Sequence, residues 1–219
     1  MKKVILAAFA IFTFGVANAQ DLKFGIKAGA NLSTLTGDAV ADDVKMKAGF
    51  NAGGLVEIKF TDMWALQPEL LFSMQGAKTT DRFDDGGDIT RDENKVNLAY
   101  INVPVMLKFY PVHSFFLEAG PQVGFLVSAK SKNESTTNFT DGTVTTSSTT
   151  VDIKDNLKGV DFTFNLGLGY EFTQNLYING RYGFGLSNVY DAPDFLGVFG
   201  INELDAKNGV ASVSLGYKF

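Results

Sequence analysis

VDFTFNLGLGYEF, residues 160–172, alternates without a break. Val160, Phe162, Phe164, Leu166, Leu168, Tyr170 and Phe172 share one register, and Asp161, Thr163, Asn165, Gly167, Gly169 and Glu171 share the other. A period of two puts the two sets on opposite faces of an extended strand. A continuous apolar face backed by small and polar residues suits a strand with hydrocarbon outside and an enclosed polar interior behind it. The end of the chain repeats the pattern, with Val213, Leu215, Tyr217 and Phe219 alternating with Ser212, Ser214, Gly216 and Lys218.

Six further runs read the same way, at residues 22–32, 48–60, 64–76, 96–109, 115–129 and 176–186. Eleven residues at ~3.3 Å each and ~40° of tilt rise about 28 Å, enough for the roughly 25 Å apolar band of a membrane barrel. Strands of soluble domains average only about five or six residues. The connections alternate between short (61–63, 110–114, 173–175) and long and polar (33–47, 77–95, 130–159, 187–207). The pattern predicts an all-β fold, an eight-stranded antiparallel up-and-down transmembrane β-barrel, with both termini at the short-turn, periplasmic end. Pro68, Pro104 and Pro121 fall inside these runs and predict bulges or frayed pairing. The run at 96–109 changes its apolar phase between Tyr100 and Ile101, which predicts one bulge.

Residues 1–19 read as a cleavable signal peptide: Lys2 and Lys3, an apolar stretch at 4–16, and the small-x-small site Ala17-Asn18-Ala19. Residues 20–219 then form the barrel domain. The chain has 19 basic and 24 acidic residues; without Lys2 and Lys3 the basic count is 17 and the net charge −7. Such a balance argues against nucleic acid as a partner. The lack of cysteine removes disulfides, thiol catalysis and thiolate metal sites. Twenty Phe and seven Tyr in a chain of near-neutral mean hydropathy, +0.05, are accommodated if they face lipid.

Several residues are candidates for specific roles. Phe60, Trp64, Phe109, Tyr110, Phe115, Phe172, Tyr177 and Phe219 cluster at the short-turn ends, as an interfacial aromatic girdle does. Val213, Leu215, Tyr217 and Phe219 form the terminal signal that barrel-assembly machinery would read. Lys27, Glu57, Glu69, Glu118 and Arg181 point inward near the short-turn end. An eight-stranded interior is just wide enough for side chains to fill, so these five are expected to form a hydrogen-bonded plug. A narrow charged pore, or a carboxylate pair doing acid–base work, are the alternatives. The single histidine, His113, reads as a solvated turn residue with no activated nucleophile in reach.

The long connections hold three further signals. Asp81, Asp84, Asp85, Asp88, Asp92 and Glu93 surround Gly86-Gly87, but their spacing departs from the EF-hand pattern and reads as a solvated acidic loop. Bridging by divalent ions to lipopolysaccharide phosphates is an intermediate reading. Asp141-Gly142, flanked by threonines, predicts a two-residue turn and a protruding hairpin that continues the strands on either side. Its exposed edge is able to pair with an extended peptide. Asn133-Glu134-Ser135 and Asn138-Phe139-Thr140 match the glycosylation triplet, without meaning in a bacterial envelope.

Four segments, LQPELLFSMQGAK (66–78), YINVPVMLKFYP (100–111), FFLEAGPQVGFLV (115–127) and LYINGRYGFGLSNV (176–189), together with the terminal VSLGYKF, resemble the PorT-like porin family of small outer-membrane barrels. The resemblance implies an eight-stranded outer-membrane barrel in which the internal prolines are a family feature. It does not carry over the secretion role of the members named for it. The expectation is an integral outer-membrane protein with a filled lumen and a structural or surface-interaction role, without enzymatic activity, cofactor or metal. Its partners would be outer-membrane lipid and lipopolysaccharide, the assembly machinery, and an extracellular ligand at the long connections, with the protein a monomer. A small-solute porin and an accessory barrel of a secretion system are the alternatives.

Overall fold

The computed structural model describes residues 21–37, 44–189 and 206–219; the stretch read as a signal peptide and most of the last long connection lie outside the described residues. The described chain forms β1 (Asp21–Thr36), β2 (Lys45–Lys59), β3 (Trp64–Asp85), β4 (Asp88–Val112), β5 (Phe115–Asn138), β6 (Val144–Asp152), β7 (Val160–Glu171), β8 (Leu176–Gly185) and β9 (Lys207–Lys218). Eight of them pair antiparallel in a ring, β1–β2–β3–β4–β5–β7–β8–β9. The ring closes where β9 meets β1, from Gly25 opposite Lys218 to Thr36 opposite Lys207. The start of β1 and the end of β9 meet at the short-turn rim, where the Phe219 amide donates to the Phe24 carbonyl at 2.8 Å.

Burial follows the period of two, inside out relative to a soluble protein. On β7, Leu168 is 54% exposed while Asn165, three positions earlier, is 3% exposed. A buried polar row opposite an exposed apolar one is stable only where the outer solvent is lipid and the inner groups satisfy one another.

The outer half departs from the expected loops. Residues 77–95 are not a long connection: β3 runs to Asp85, β4 begins at Asp88, and two residues join them. Gly86 and Gly87 both have positive φ, 64° and 104°, the backbone of a tight hairpin turn that closes on itself. Polar residues on both faces of 77–95 hid the strands, because neither face is buried in lipid. β5 likewise extends to Asn138 and pairs on one side with β4 and on the other with β6. The predicted protrusion is thus a four-stranded sheet, β3–β4–β5–β6. Its return strand does not continue into β7; a single 3-10 turn at Lys154–Asn156 separates them. The connection of β5 to β6 is residues 139–143 rather than two residues, with the Gly142 amide bonded to the Phe139 carbonyl at 3.0 Å and Gly142 at φ 85°.

The prolines leave gaps rather than bulges. The β3–β4 ladder skips from Pro68–Val105 to Leu71–Asn102 without changing register, and β4–β5 skips from Pro104–Gln122 to Leu107–Ala119. Alternation on β4 is unbroken, with Leu98, Tyr100, Asn102, Pro104, Met106, Lys108 and Tyr110 all buried. The bulge lies on β5 instead, where Val127 has no opposite residue between Ala99–Ser128 and Tyr100–Leu126. Tyr100 looked out of phase because it belongs to an apolar cluster inside the barrel.

Two girdle assignments are corrected. Tyr110 is 3% exposed and Tyr177 0%, and both point into the lumen. Each shares its strand's inward register, with Lys108 on β4 and Arg181 on β8. Their neighbours Phe109 and Leu176 take the outer positions. Phe60, Trp64, Phe172 and Phe219 are exposed, and Trp64 stacks on Phe109 across the ladder at 4.7 Å.

Candidate functional site

The lumen is filled in layers. Nearest the short turns lies an aromatic floor of Tyr110, Phe116 and Tyr177, with ring centroids 5.5 Å and 6.0 Å apart. Phe116 faces Gly169 across the β5–β7 ladder, and Tyr177 faces Gly216 across β8–β9. Each ring fills the space a Cβ on the opposing glycine would occupy.

The first charged layer rests on this floor. Lys108 Nζ lies 3.8 Å from the Phe116 ring centroid and donates to Glu57 Oε2 at 2.7 Å and Gln67 Oε1 at 2.9 Å. Lys218 Nζ donates to Glu57 Oε1 at 2.8 Å and Glu171 Oε1 at 2.6 Å. The Tyr110 hydroxyl sits between Glu57 and Glu171, at 2.9 Å and 2.8 Å, and donates to one at a time.

Arg181 organises the second layer by forking to two carboxylates. It reaches Glu69 with Nη2 at 2.8 Å and Nη1 at 3.1 Å, and Glu118 with Nε at 2.9 Å and Nη2 at 3.1 Å. Such bidentate, charge-assisted pairs are the strong kind. Lys27 Nζ lies 3.5 Å from Glu69, and the Asn179 amide donates to Glu118 at 2.7 Å. Gln67 joins the two layers, accepting from Lys108 and donating to Glu69 Oε1 at 2.7 Å.

All five expected residues therefore lie in one buried network, but three members were missed. Lys108, Lys218 and Glu171 bring the set to four cations and four carboxylates. They share the inward register near the strand ends, where the sequence alone assigns them no partner.

Beyond Arg181 the interior turns neutral. Asn31 donates to Ser73 Oγ at 2.9 Å and accepts from Asn51 at 2.7 Å, beside a polar cavity of about 40 Å³. Farther out, Asp161 accepts from Thr163 at 2.8 Å and Ser187 at 3.1 Å. Leu98, Tyr100, Leu126, Ala129, Leu157 and Val189 close the outer mouth as an apolar cap. Leu157 and Val189 come from connections folded inward and tied together by the Lys158 amide on the Val189 carbonyl at 2.8 Å.

The acidic stretch is divided rather than gathered. Asp81 opposes Asp92 and Asp85 opposes Asp88, while Glu93 lies on the other face beside Lys95 at 3.0 Å. Asp84 accepts from the Gly87 amide, and Asp88 from the Thr140 amide at 2.7 Å. Among the described residues no three acidic or histidine groups converge as a cation site. His113 is exposed in the turn between β4 and β5. Val213, Leu215 and Tyr217 face outward on β9, and Phe219, just past its end, is exposed.

An inside-out barrel of this kind matches a known family. The outer membrane protein beta-barrel domain covers residues 18–191. The chain belongs to that family. As an outer membrane β-barrel protein, it is similar to several solved structures. One is Ail, the attachment invasion locus protein of Yersinia pestis, in complex with the heparin analogue sucrose octasulfate, at 16% identity over 91% of this chain and 100% of that one, TM-score 0.43. Neisserial surface protein A is 14% identical over 91% and 100%, TM-score 0.36, and CarO of Acinetobacter baumannii 11% over 87% and 97%, TM-score 0.35. No curated protein matches. The outer membrane β-barrel protein thus has a lumen packed with mutually satisfied charges and an outer sheet standing clear of the wall.

Proposed function

We propose that this outer-membrane barrel is a closed, non-enzymatic protein that works at the cell surface through its outer sheet. The observation that carries the reading is the lumen: eight charged side chains satisfy one another in two joined layers, below an apolar cap. Every carboxylate of those layers is held by a cation or by the Tyr110 hydroxyl, so none is free to act as a base. The cavity of about 40 Å³ holds a few waters and admits no sugar.

The outer sheet supplies the working surface. β6 ends the strand order and, among the described residues, pairs with β5 alone. Its other row of amides and carbonyls is open to an extended peptide. Within its family we assign the chain to the PorT-like group, without the secretion role. We place both termini in the periplasm, give the terminal Val213, Leu215, Tyr217 and Phe219 to the assembly machinery, and take the barrel as a monomer. Purified protein in planar bilayers is expected to give no steady single-channel current, and liposomes carrying it should not swell in sugar. Conductance steps of uniform size would overturn the closed reading.

A further inference from the structure

Strand register assembles on the outer sheet a group that no single strand contains. Lys45 on β2 lies opposite Lys78 on β3, Lys78 opposite Lys95 on β4, and Lys95 opposite Lys132 on β5. Four ammonium groups make one row across four adjacent strands, about 14 Å long at ~4.8 Å per strand. Like charges directly opposite one another destabilise a ladder, so such a row calls for counter-charge.

Only part of it is supplied among the described residues. Glu93 lies 3.0 Å from Lys95, and Glu134 lies 3.1 Å from Lys132 and 4.0 Å from Lys95. Lys47, whose Nζ is 3.4 Å from the Gln75 carbonyl, adds a fifth cation beside the row. Burial, and then the nearby Lys95, lower its proton affinity. Among the described residues, five cations and two carboxylates leave the strip positive.

Its position selects the anion. Toward the membrane, the outward residues of the same strands are Phe50, Met74, Ile101, Phe125 and Val127, part of the apolar band. Lys78 is four residues beyond Met74, and Lys132 five beyond Val127. With strand tilt this is about 10 Å above the band, within the headgroup layer. Lysine stems are long enough to lie back along the wall and bring the ammonium to that level.

We propose that Lys45, Lys78, Lys95 and Lys132 form a phosphate-binding strip for phosphorylated lipid headgroups of the outer leaflet. It rests on the outer sheet facing the cell exterior, and it adds a lipid ligand to the surface reading. Compact ammonium charges spaced along a strip suit several phosphates of one headgroup.

The test titrates the detergent-solubilised mature barrel with diphosphoryl, monophosphoryl and fully dephosphorylated lipid A, counting lipid adducts by native mass spectrometry. Affinity should fall in that order and weaken with salt. Each Lys→Gln change should lower diphosphoryl affinity about fivefold, the equivalent of ~1 kcal/mol per basic residue near an anionic surface. K45R/K78R/K95R/K132R should bind as the parent does. The doubles K45Q/K78Q and K95Q/K132Q carry the test if the quadruple glutamine variant does not fold. Equal binding of all three lipids, parental affinity in both doubles, or complete displacement by millimolar inorganic phosphate would overturn the proposal. Lost lipid discrimination in a non-conducting barrel sinks this inference alone; conductance with discrimination intact sinks only the closed-lumen reading.

Discussion

Tyr177 lies directly across the β8–β9 ladder from Gly216, and its ring covers the glycine where a side chain would otherwise stand. The fit leaves the Tyr177 hydroxyl buried without a hydrogen-bond partner among the described residues. A buried unpaired hydroxyl costs roughly 1–3 kcal/mol, so Tyr177→Phe should leave stability unchanged or raise it by about 1 kcal/mol. Tyr110→Phe should do the reverse and cost about 2 kcal/mol, because that hydroxyl serves Glu57 and Glu171. Gly216→Val should be worse than either, forcing the Tyr177 ring out of the floor. Denaturant unfolding in lipid vesicles measures all three. A Tyr177→Phe variant less stable than Tyr110→Phe would refute the argument.

Arg181 concerns charge rather than shape. Its guanidinium is the shared partner of Glu69 and Glu118, both buried. Arg181→Met leaves Glu118 without a paired cation and Glu69 with Lys27 alone in a site closed to water, and breaking a buried pair in this way costs about 3–5 kcal/mol. E118Q/R181M removes one cation and one carboxylate, leaves Lys27 paired with Glu69, and should recover most of the loss. The two variants compared in the same unfolding experiment decide it; equal stability would mean that the layer is not electrostatically coupled.

The barrel wall was legible in the sequence because lipid enforces alternation: each outward position from Val160 to Phe172 must be apolar. The charged layers were partly legible for the same reason, since Lys27, Glu57, Glu69, Glu118 and Arg181 interrupt the inward face near the short-turn end. Lys108, Lys218 and Glu171 were not, although they share that register, because their partners on other strands are set only when the ring closes. Tyr110 and Tyr177 were misread because an aromatic near a turn suits a girdle, whereas their register already pointed inward. The outer sheet left no signal in hydropathy. Water wets both its faces, so Thr, Ser, Asn and Lys serve equally on either, and the row of lysines exists only once the Gly86-Gly87 turn has set the register.

The tip of the β5–β6 hairpin should respond to acid. The Asp141 carboxylate accepts from the Thr143 amide at 2.8 Å, and this bond holds its pKa below the ordinary aspartate value. A group depressed in the folded state contributes order above its unfolded pKa, about 3.9, and loses it as pH falls through the lower folded value. The Thr143 amide should therefore shift and exchange faster in acid below about pH 4. Asp141→Ala should show the faster exchange at neutral pH and no further acid response. An Asp141→Ala variant that still titrates at Thr143 would assign the effect to another group.

The apolar cap and the Arg181 layer seal the lumen in series, with the cavity between them. Leu157→Ala together with Val189→Ala should open the outer mouth at a cost of about 2 kcal/mol or more for the lost packing. Water would then reach the cavity beside Asn31, Asn51 and Asn165, and backbone amides there should exchange faster. Ions would still meet the layer in which Arg181 and Lys27 hold Glu69 and Glu118, where entry means separating paired charges in a site of low dielectric. Planar bilayers with the double variant should stay silent while hydrogen exchange changes. Stepwise current after loss of the cap alone would show that the charged layer does not seal, and the filled-lumen account would fail with it.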